Sequence, residues 1–508
     1  MKYYLGLDNG GTTTKASLFD EKGREIATVS VDTKMITPHP GFTERDMEEM
    51  WDANCRCIRG VLEKSGVDPA EISCVAVCGH GKGLYLWGND DRPVRYGIIS
   101  TDNRAWEYQQ KWQKDGTEEK VFAISCQHIM ACQPVALLAW LQDHEPECMD
   151  RIRWIFECKD YVRFRLTGEA YGEMSDYSGA NFVDLHTGAY SEELLRCFGL
   201  GWCMDKLPPL IQGTDLCGTI SEETAAATGL KEGTPVAGGA FDIDACAVAV
   251  NVVDEDHICM IAGTWSINEY ISKAPVTDGS VLMNSYFCMK PYYLVEECSP
   301  TSAGNNAWFI NTFLQDLKTQ GNLYEQLNRW VEEILPEEFC PVFLPYLLAS
   351  NVHPNAKGSF VGLSNYHTRA HIARSIYEGI AFSHRYHLDK LLKNKKTPTK
   401  SIRLAGGMAR SAVWVQMLAD ITQLPVEVVE VNETGNLGCA ILGAVATGAF
   451  GSIAQAAEHM CRIGAPVLPN GGYRECYERK YRMFLKVIDA LDSVWNPMQE
   501  LIDQCRGE

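Results

Sequence analysis

The sequence predicts an α/β protein made of two similar domains with a cleft between them. Three observations support this fold class. At 508 residues the chain is too long for one hydrophobic core. Strand-like apolar runs alternate with helix-like periodicity over residues 1–110. A strand–turn–strand pattern at 3–20 recurs at 258–272, which predicts one domain at 1–254 and a second at 255–508.

The first domain opens with four strand-like runs, at residues 3–8, 14–20, 25–32 and 72–78. A helix is predicted at 47–63, because Asp46 and Glu49 match a capping box and an apolar stripe follows them. Gly66 is the residue type that ends helices. Residues 105–205 are predicted to be mainly helical, and a short buried strand before Gly238 precedes a helix at 242–249.

The second domain repeats the strand–turn–strand pattern and then becomes mostly helical. The predicted elements are strands at 258–262, 267–272, 401–404 and 426–431, and helical sections at 303–335, 367–393 and 411–423.

Composition excludes several classes of protein. The formal net charge of -20 argues against nucleic acid as a partner. The 20 cysteines include no Cys-x-x-Cys pair, which favours free thiols in a reducing compartment over a zinc site. No apolar run reaches the roughly 20 residues that span a bilayer, and no signal peptide precedes the first strand. A cytoplasmic protein without a membrane partner is therefore expected.

The turn between the first two strands combines the groups that bind phosphate. A carboxylate, Asp8, precedes two glycines, Gly10 and Gly11, which are followed by hydroxyls at Thr12 and Thr13 and a cation at Lys15. Glycine lets backbone N–H groups approach an anion, and the hydroxyls add donors. Asp8 fits this arrangement if a divalent cation lies between it and the phosphate. An ordinary Gly-rich hairpin remains the alternative reading of this segment alone.

Further glycine-containing turns follow apolar strands at 79–83, 238–239, 263–264 and 406–411. None is a Walker loop, because the Gly-x-x-x-x-Gly-Lys-Ser/Thr spacing is absent. Leu84 stands where a dinucleotide fingerprint needs its third glycine. The chain thus has several candidate phosphate turns without either common nucleotide motif.

Asp242 is the candidate general base. It lies between a predicted strand end and a helix N-terminus, where the helix dipole favours the ionised carboxylate that a base requires. A plain N-cap role is the alternative. Asp244 is the rival acid, although two residues along a helix its side chain points in another direction.

Together these segments resemble the FGGY carbohydrate kinases, a branch of the actin/hsp70/hexokinase-like ATPases. The resemblance covers nearly the whole chain, and its motifs occur in family order. They lie at residues 6–15, 40–46, 100–104, 160–161 with 166–168, 238–242, 263–264, 343–347, 358–363, 378–379, 406–420 and 435–443.

The resemblance implies two ribonuclease-H-like domains, with the sugar bound mainly by 1–254 and the nucleotide mainly by 255–508. It implies ATP and Mg²⁺ as cofactors, Asp242 as catalytic base and sugar ligand, and Asp8 with Asp242 at the metal. The implied ATP-binding residues are Gly10, Gly11, Thr12, Thr13, Lys15, Gly263, Thr264, Gly406, Gly407 and Ser411. The oligomeric state stays open, with a homodimer among the possibilities.

Departures from the family pattern bear on the substrate. Gly11 replaces a hydroxyl residue of many members, and Ser100 replaces an aromatic one. Residues 79–84 match neither the D-xylulose kinase nor the glycerol kinase form and look closest to the L-xylulose kinase branch. The polar residues predicted to contact the sugar are His80, Lys82, Asp102 and Arg104.

The sequence therefore predicts an ATP-dependent kinase acting on a terminal hydroxyl of a ketopentose, with L-xylulose as the preferred candidate. D-xylulose, L-ribulose and erythritol remain alternatives, since single hydroxyl orientations separate them. A nucleotide-dependent switch of the same fold and a non-catalytic sugar- or ATP-binding regulator are the rivals from other classes.

Overall fold

In the computed structural model, residues 2–263, 265–317 and 322–506 are described. The chain divides into two compact units. Unit 1 comprises Met1–Asp254, Ile271–Val295 and Glu430–Arg462, and unit 2 comprises Glu255–Tyr270, Glu296–Val429 and Ile463–Glu508.

The strands, numbered in chain order, are β1 (Tyr3–Asn9), β2 (Thr13–Asp20), β3 (Glu25–Asp32), β4 (Glu44–Arg45), β5 (Ile72–Gly79), β6 (Tyr85–Gly88), β7 (Gly97–Ile98), β8 (Ile152–Phe156), β9 (Gly172–Glu173), β10 (Val183–Asp184), β11 (Ala189–Tyr190), β12 (Leu210–Ile211), β13 (Leu216–Thr219), β14 (Pro235–Ala237), β15 (Ala240–Phe241), β16 (His257–Ala262), β17 (Ser266–Ser272), β18 (Met283–Tyr286), β19 (Tyr293–Ser299), β20 (Val342–Leu344), β21 (Ser359–Val361), β22 (Ser401–Gly406) and β23 (Val426–Val428).

The α-helices are α1 (Met47–Ser65), α2 (Trp106–Lys114), α3 (Thr117–Ser125), α4 (Pro134–His144), α5 (Cys158–Thr167), α6 (Met174–Ser178), α7 (Glu192–Cys197), α8 (Glu222–Thr228), α9 (Asp242–Ala249), α10 (Gly304–Phe313), α11 (Leu323–Glu333), α12 (Arg369–Asn394), α13 (Ala412–Thr422), α14 (Thr434–Ala446), α15 (Ile453–Met460) and α16 (Arg474–Arg506).

The main sheet of unit 1 has the strand order β13-β14-β5-β1-β2-β3, and β15 also pairs with β5. β1 runs antiparallel to β2 and parallel to β5. Strands β1 and β5 are almost wholly buried, which is why both read as continuous apolar runs in the sequence. The predicted strands at the start of the chain are confirmed to within one or two residues.

Helix α1 confirms the predicted helix and its boundaries. The Asp46 side chain accepts hydrogen bonds from the backbone N–H of Glu48 and Glu49, and Gly66 ends the helix with φ 64. The capping box is not completed in the predicted way, because the Glu49 carboxylate accepts a hydrogen bond from Lys34 N at 3.3 Å. The buried face packs on β2 and β3.

In unit 2, β17, β16, β22 and β23 are consecutive neighbours in one sheet. β16 is antiparallel to β17 and parallel to β22, so the arrangement repeats that of β1, β2 and β5. This recurrence confirms that the strand–turn–strand pattern of the sequence is repeated. None of the helices in the described ranges is long and apolar enough to cross a membrane.

Candidate active site

The turn after β1 is open to a ligand. In the register of β1 and β2, Asp8 lies opposite Lys15 and Asn9 lies opposite Thr14. The backbone N–H of Gly10 donates a hydrogen bond to the carbonyl oxygen of Thr13 at 3.0 Å. Neither Gly10 nor Gly11 has a positive φ, and a Cβ at either would meet nothing closer than 3.4 Å. The turn itself therefore does not require glycine here. Close approach of an anion to the backbone would explain both residues.

Asp8 and Asp242 are positioned by the same central strand. Cys78 of β5 pairs with Asp8 on one side and Ala240 of β15 on the other. Asp242 begins α9 directly after β15. Gly239 makes this path possible, since its φ is 80 and a Cβ there would lie 1.9 Å from Val77 O.

Burial dominates the electrostatics of both carboxyl groups. It raises the pKa of Asp8 to about 6, against the opposing effect of Lys15. Burial, followed by repulsion from Asp8 and Asp176, raises the pKa of Asp242 well above its usual value, although Lys82 lowers it. Burial and these neighbouring acids therefore outweigh the helix dipole, which on its own would favour an ionised Asp242.

The carboxyl groups of Asp8 and Asp242 have the chemistry to bind a divalent cation. Two buried, mutually repelling carboxyl groups are incompletely neutralised by the surrounding protein. No group of three or more His, Cys, Asp or Glu that could hold a metal occurs within the described part of the chain. Mg²⁺ commonly uses one or two carboxylates and takes its other ligands from water and substrate phosphates. Asp8 and Asp242 are thus the residues that could hold such an ion.

Lys15, predicted to bind ATP, is engaged in an ion pair. Its Nζ lies 2.7 Å from Glu433 Oε2, next to the start of α14. Helix α14 packs closely on β1: a Cβ at Gly435 would lie 3.2 Å from Asp8 Oδ2. Residues 435–443, the last of the family motifs in the chain, therefore belong to unit 1, and Gly435 borders Asp8.

His80 and Lys82 lie in the loop that follows β5. His80 Nε2 is 2.8 Å from the Tyr85 hydroxyl, and burial lowers the pKa of His80 to about 4. Lys82 has φ 60 and places Nζ 4.6 Å from the centre of the Phe241 ring. Since Phe241 immediately precedes Asp242, the structure brings Lys82 to the candidate base.

Asp102 and Arg104 are buried and paired with each other. Arg104 donates to Asp102 through Nε and NH2, both at 2.9 Å, and to Glu44 through NH2 at 2.7 Å. Asp102 Oδ2 also accepts from Thr43 N at 2.6 Å, and the guanidinium lies 4.3 Å from the Phe42 ring centre. These contacts hold the segment 42–44; a direct contact with sugar stays a prediction.

Arg45 joins that segment to the phosphate turn, a role the sequence reasoning missed. Its guanidinium donates to Gly10 O at 2.8 Å and to Thr14 Oγ1 at 2.7 Å. Only its place in the 40–46 motif marked it in the sequence. The structure thus connects two motifs that are distant in the chain.

In unit 2, two predicted nucleotide turns follow adjacent parallel strands. Ala262 of β16 pairs with Gly406 of β22, so Gly263 and Gly407 emerge at the same sheet edge. Gly406 has φ 90 and no room for a Cβ, whereas nothing lies within 4 Å of a Cβ built at Gly263. Thr264 lies outside the described residues.

The Ser411 hydroxyl already makes hydrogen bonds within the protein. Its Oγ accepts from Trp414 N at 3.3 Å as the N-cap of α13 and donates to Asn328 Oδ1 at 2.7 Å. It lies close in sequence to the glycine turn at 406–407, and its predicted contact with ATP stays a prediction.

Comparison with known proteins finds two family models that match successive parts of the chain. Residues 3–249 match the model of the N-terminal domain of the FGGY family of carbohydrate kinases, and residues 258–447 match that of the C-terminal domain. The chain is 35% identical to the L-xylulose/3-keto-L-gulonate kinase of Escherichia coli, over 96% of this chain and 97% of that protein. It is 34% identical to a protein of Haemophilus influenzae named "Probable L-xylulose kinase", over 97% and 100%.

A solved structure gives the same result for the fold. The xylulose kinase of Rhodospirillum rubrum superimposes with a TM-score of 0.86 at 25% identity, covering 97% of this chain and all of the other. The similarity extends through both halves of the chain.

Proposed function

Because the chain belongs to the FGGY family of carbohydrate kinases, and is thus an ATP-dependent sugar phosphotransferase, we propose that its substrate is a ketopentose, L-xylulose, phosphorylated at the terminal hydroxyl. The resemblance stated from the motifs, the fold class and the enzyme class are confirmed. The choice of sugar is supported by two kinases, 34% and 35% identical to this chain, whose names both include L-xylulose.

The observation that carries the mechanism is the placement of Asp242 and Asp8 on either side of the end of β5. Asp242 would accept the proton of the attacking sugar hydroxyl. Mg²⁺ held by Asp8 and Asp242 would neutralise charge on the phosphates. Lys82 would favour the ionised form of Asp242, because its ammonium lowers the pKa of that carboxyl group.

The remaining predicted residues divide between the two substrates. We assign the sugar to residues of 1–254, with His80 and Lys82 as contacts and Asp102 and Arg104 supporting them. The phosphates of ATP would meet the open backbone at Gly10, Gly11, Thr12 and Thr13 and at the turn starting at Gly263. Gly406 and Gly407 would border the adenosine, since a Cβ at Gly407 would have contacts no closer than 3.7 Å.

The test is ADP release in the presence of ATP and Mg²⁺ with L-xylulose, D-xylulose, L-ribulose, erythritol and glycerol. Selective turnover of L-xylulose is the expected result. Selective turnover of another sugar would reject the assignment of L-xylulose and keep the kinase. Absence of turnover with every sugar, together with tight ATP binding, would favour a regulator of the same fold.

A further inference from the structure

The carboxyl group of Glu157 is buried without a hydrogen-bonding partner. Glu157 follows β8, whose last residue Phe156 pairs with Tyr85 at the end of the 79–84 loop. The residue is 1% exposed. Neither carboxyl oxygen has a hydrogen-bond partner within the described part of the chain. Most buried polar atoms in folded proteins are satisfied, so an acid with two unsatisfied oxygens requires an explanation.

Lys159, one of the two cations that interact electrostatically with Glu157, makes its hydrogen bonds to other acids. Lys159 Nζ donates to Asp160 Oδ2 at 2.8 Å and to Asp176 Oδ2 at 2.9 Å. Burial and repulsion from Asp176 raise the pKa of Glu157 well above its ordinary value. Glu157 therefore destabilises the protein in the absence of a ligand, because an unpartnered buried acid is unfavourable in either protonation state.

Glu157 shares its surroundings with the residues predicted to contact sugar. Lys82 lowers the pKa of both Glu157 and Asp242, so one ammonium group interacts with both acids. Cys132 interacts electrostatically with Lys82, Asp102 and Glu157, and its carbonyl accepts a hydrogen bond from Gly83 N at 2.8 Å. The unpartnered carboxyl group thus lies next to the 79–84 loop, which carries His80 and Lys82.

We propose that Glu157 is a specificity-determining residue that binds a hydroxyl group of the sugar through its unpartnered carboxyl oxygens. This inference rests on the proposed function, since it assigns a contact within the same sugar site. A linear ketopentose carries several hydroxyl groups, each able to donate to such an acceptor. A sugar that lacks the hydroxyl, or directs it elsewhere, leaves the buried acid unsatisfied and is rejected.

The test compares wild-type protein with Glu157→Gln, which keeps the shape and removes the acidic group. Each sugar that the wild type phosphorylates is used as substrate. The variant is expected to raise KM for that sugar by about tenfold, because the carboxamide keeps one acceptor oxygen and puts an NH2 donor in place of the other, so one of the proposed sugar contacts is lost. KM for ATP should stay within about twofold. The melting temperature without ligand should be unchanged or higher, because an unsatisfied acid is removed.

Glu378→Gln is the matched control. Glu378 is an equally buried glutamate of unit 2, but its oxygens accept from Arg374 Nε at 2.8 Å and from Lys480 Nζ at 2.8 and 3.1 Å. This variant should lower the melting temperature and leave KM for sugar unchanged, which is the opposite result on both measurements.

An unchanged sugar KM in Glu157→Gln, with wild-type turnover intact, would overturn the role of Glu157 and leave the proposed function standing. An unfolded Glu157→Gln would also overturn it, because the proposal gives this carboxyl group no part in folding. Absence of wild-type turnover with any sugar would reject the proposed function, and the inference with it.

Discussion

Replacing Asp242 by asparagine should separate catalysis from folding and binding. Asparagine has nearly the same shape, and it removes a carboxyl group whose pKa is raised by burial, Asp8 and Asp176. A general base contributes about 10²–10⁴ in rate, so turnover should fall at least about a hundredfold, equivalent to roughly 3 kcal/mol in the barrier. Removing one of several repelling acids should leave the melting temperature unchanged or higher.

The assay is steady-state ADP release at saturating sugar, combined with ATP binding measured calorimetrically. The Asp242→Asn variant should bind ATP nearly as well as the wild type. Turnover within about tenfold of the wild type would refute the assignment of Asp242 as general base.

Asp244→Asn provides the matched control on the same helix. Asp244 Oδ1 accepts a hydrogen bond from Cys288 N at 2.9 Å, and burial raises the pKa of Asp244 well above its usual value. An asparagine oxygen can accept the same hydrogen bond, so this variant should retain turnover within about tenfold. If Asp244→Asn lost activity and Asp242→Asn did not, the two residues would exchange roles.

Three further predictions concern the sugar site, the packing of α14 and the acid stability of unit 2. Lys82→Met should raise KM for sugar by about tenfold or more in ADP-release kinetics, with KM for ATP little changed. Gly6→Ala would place a Cβ 2.2 Å from Asn436 O, so the free energy of unfolding in urea should fall by about 1–3 kcal/mol; an unchanged value would show that α14 can move away from β1. Burial lowers the pKa of His384 to about 3 in the folded protein. In the unfolded chain this histidine becomes protonated as the pH falls below about 6.5, whereas in the folded protein it stays neutral. The free energy of unfolding should therefore fall by about 2 kcal/mol between pH 7 and pH 5 because of His384. His384→Gln should abolish this loss, whereas a substitution of the exposed His39 should leave it unchanged.

Local pattern predicted the elements around the site well. The 242–249 helix and the hairpin at the start of the chain needed only apolar periodicity, a strand-to-helix junction and a Gly-rich turn. Helix α1 was predicted from its cap and its stripe, and its end from Gly66. These features depend on residues close together in the chain, which is why one sequence was enough.

The electrostatics of the site could not be predicted in the same way. The pKa of Asp242 is raised first by burial and then by Asp8 and Asp176, which come from β1 and α6. Likewise, Glu157 has no motif that marks it; its importance follows from burial and from the absence of a donor within the described residues. Both properties arise from strand pairing and side-chain packing between distant segments.

The residues of the predicted sugar site are of two kinds: those whose hydrogen bonds are completed within the protein, and buried acids that the protein compensates poorly. Arg104 and Asp102 have their hydrogen bonds completed within the protein, so their geometry is set before any ligand arrives. Asp242 and Glu157 are acids that burial leaves poorly compensated, and Lys82 interacts with both. Binding can relieve only the second group, because the first has little left to gain. Substrate discrimination should therefore be more sensitive to changes at Glu157 and Lys82 than to changes at Asp102, whereas changes at Arg104 should act mainly through stability.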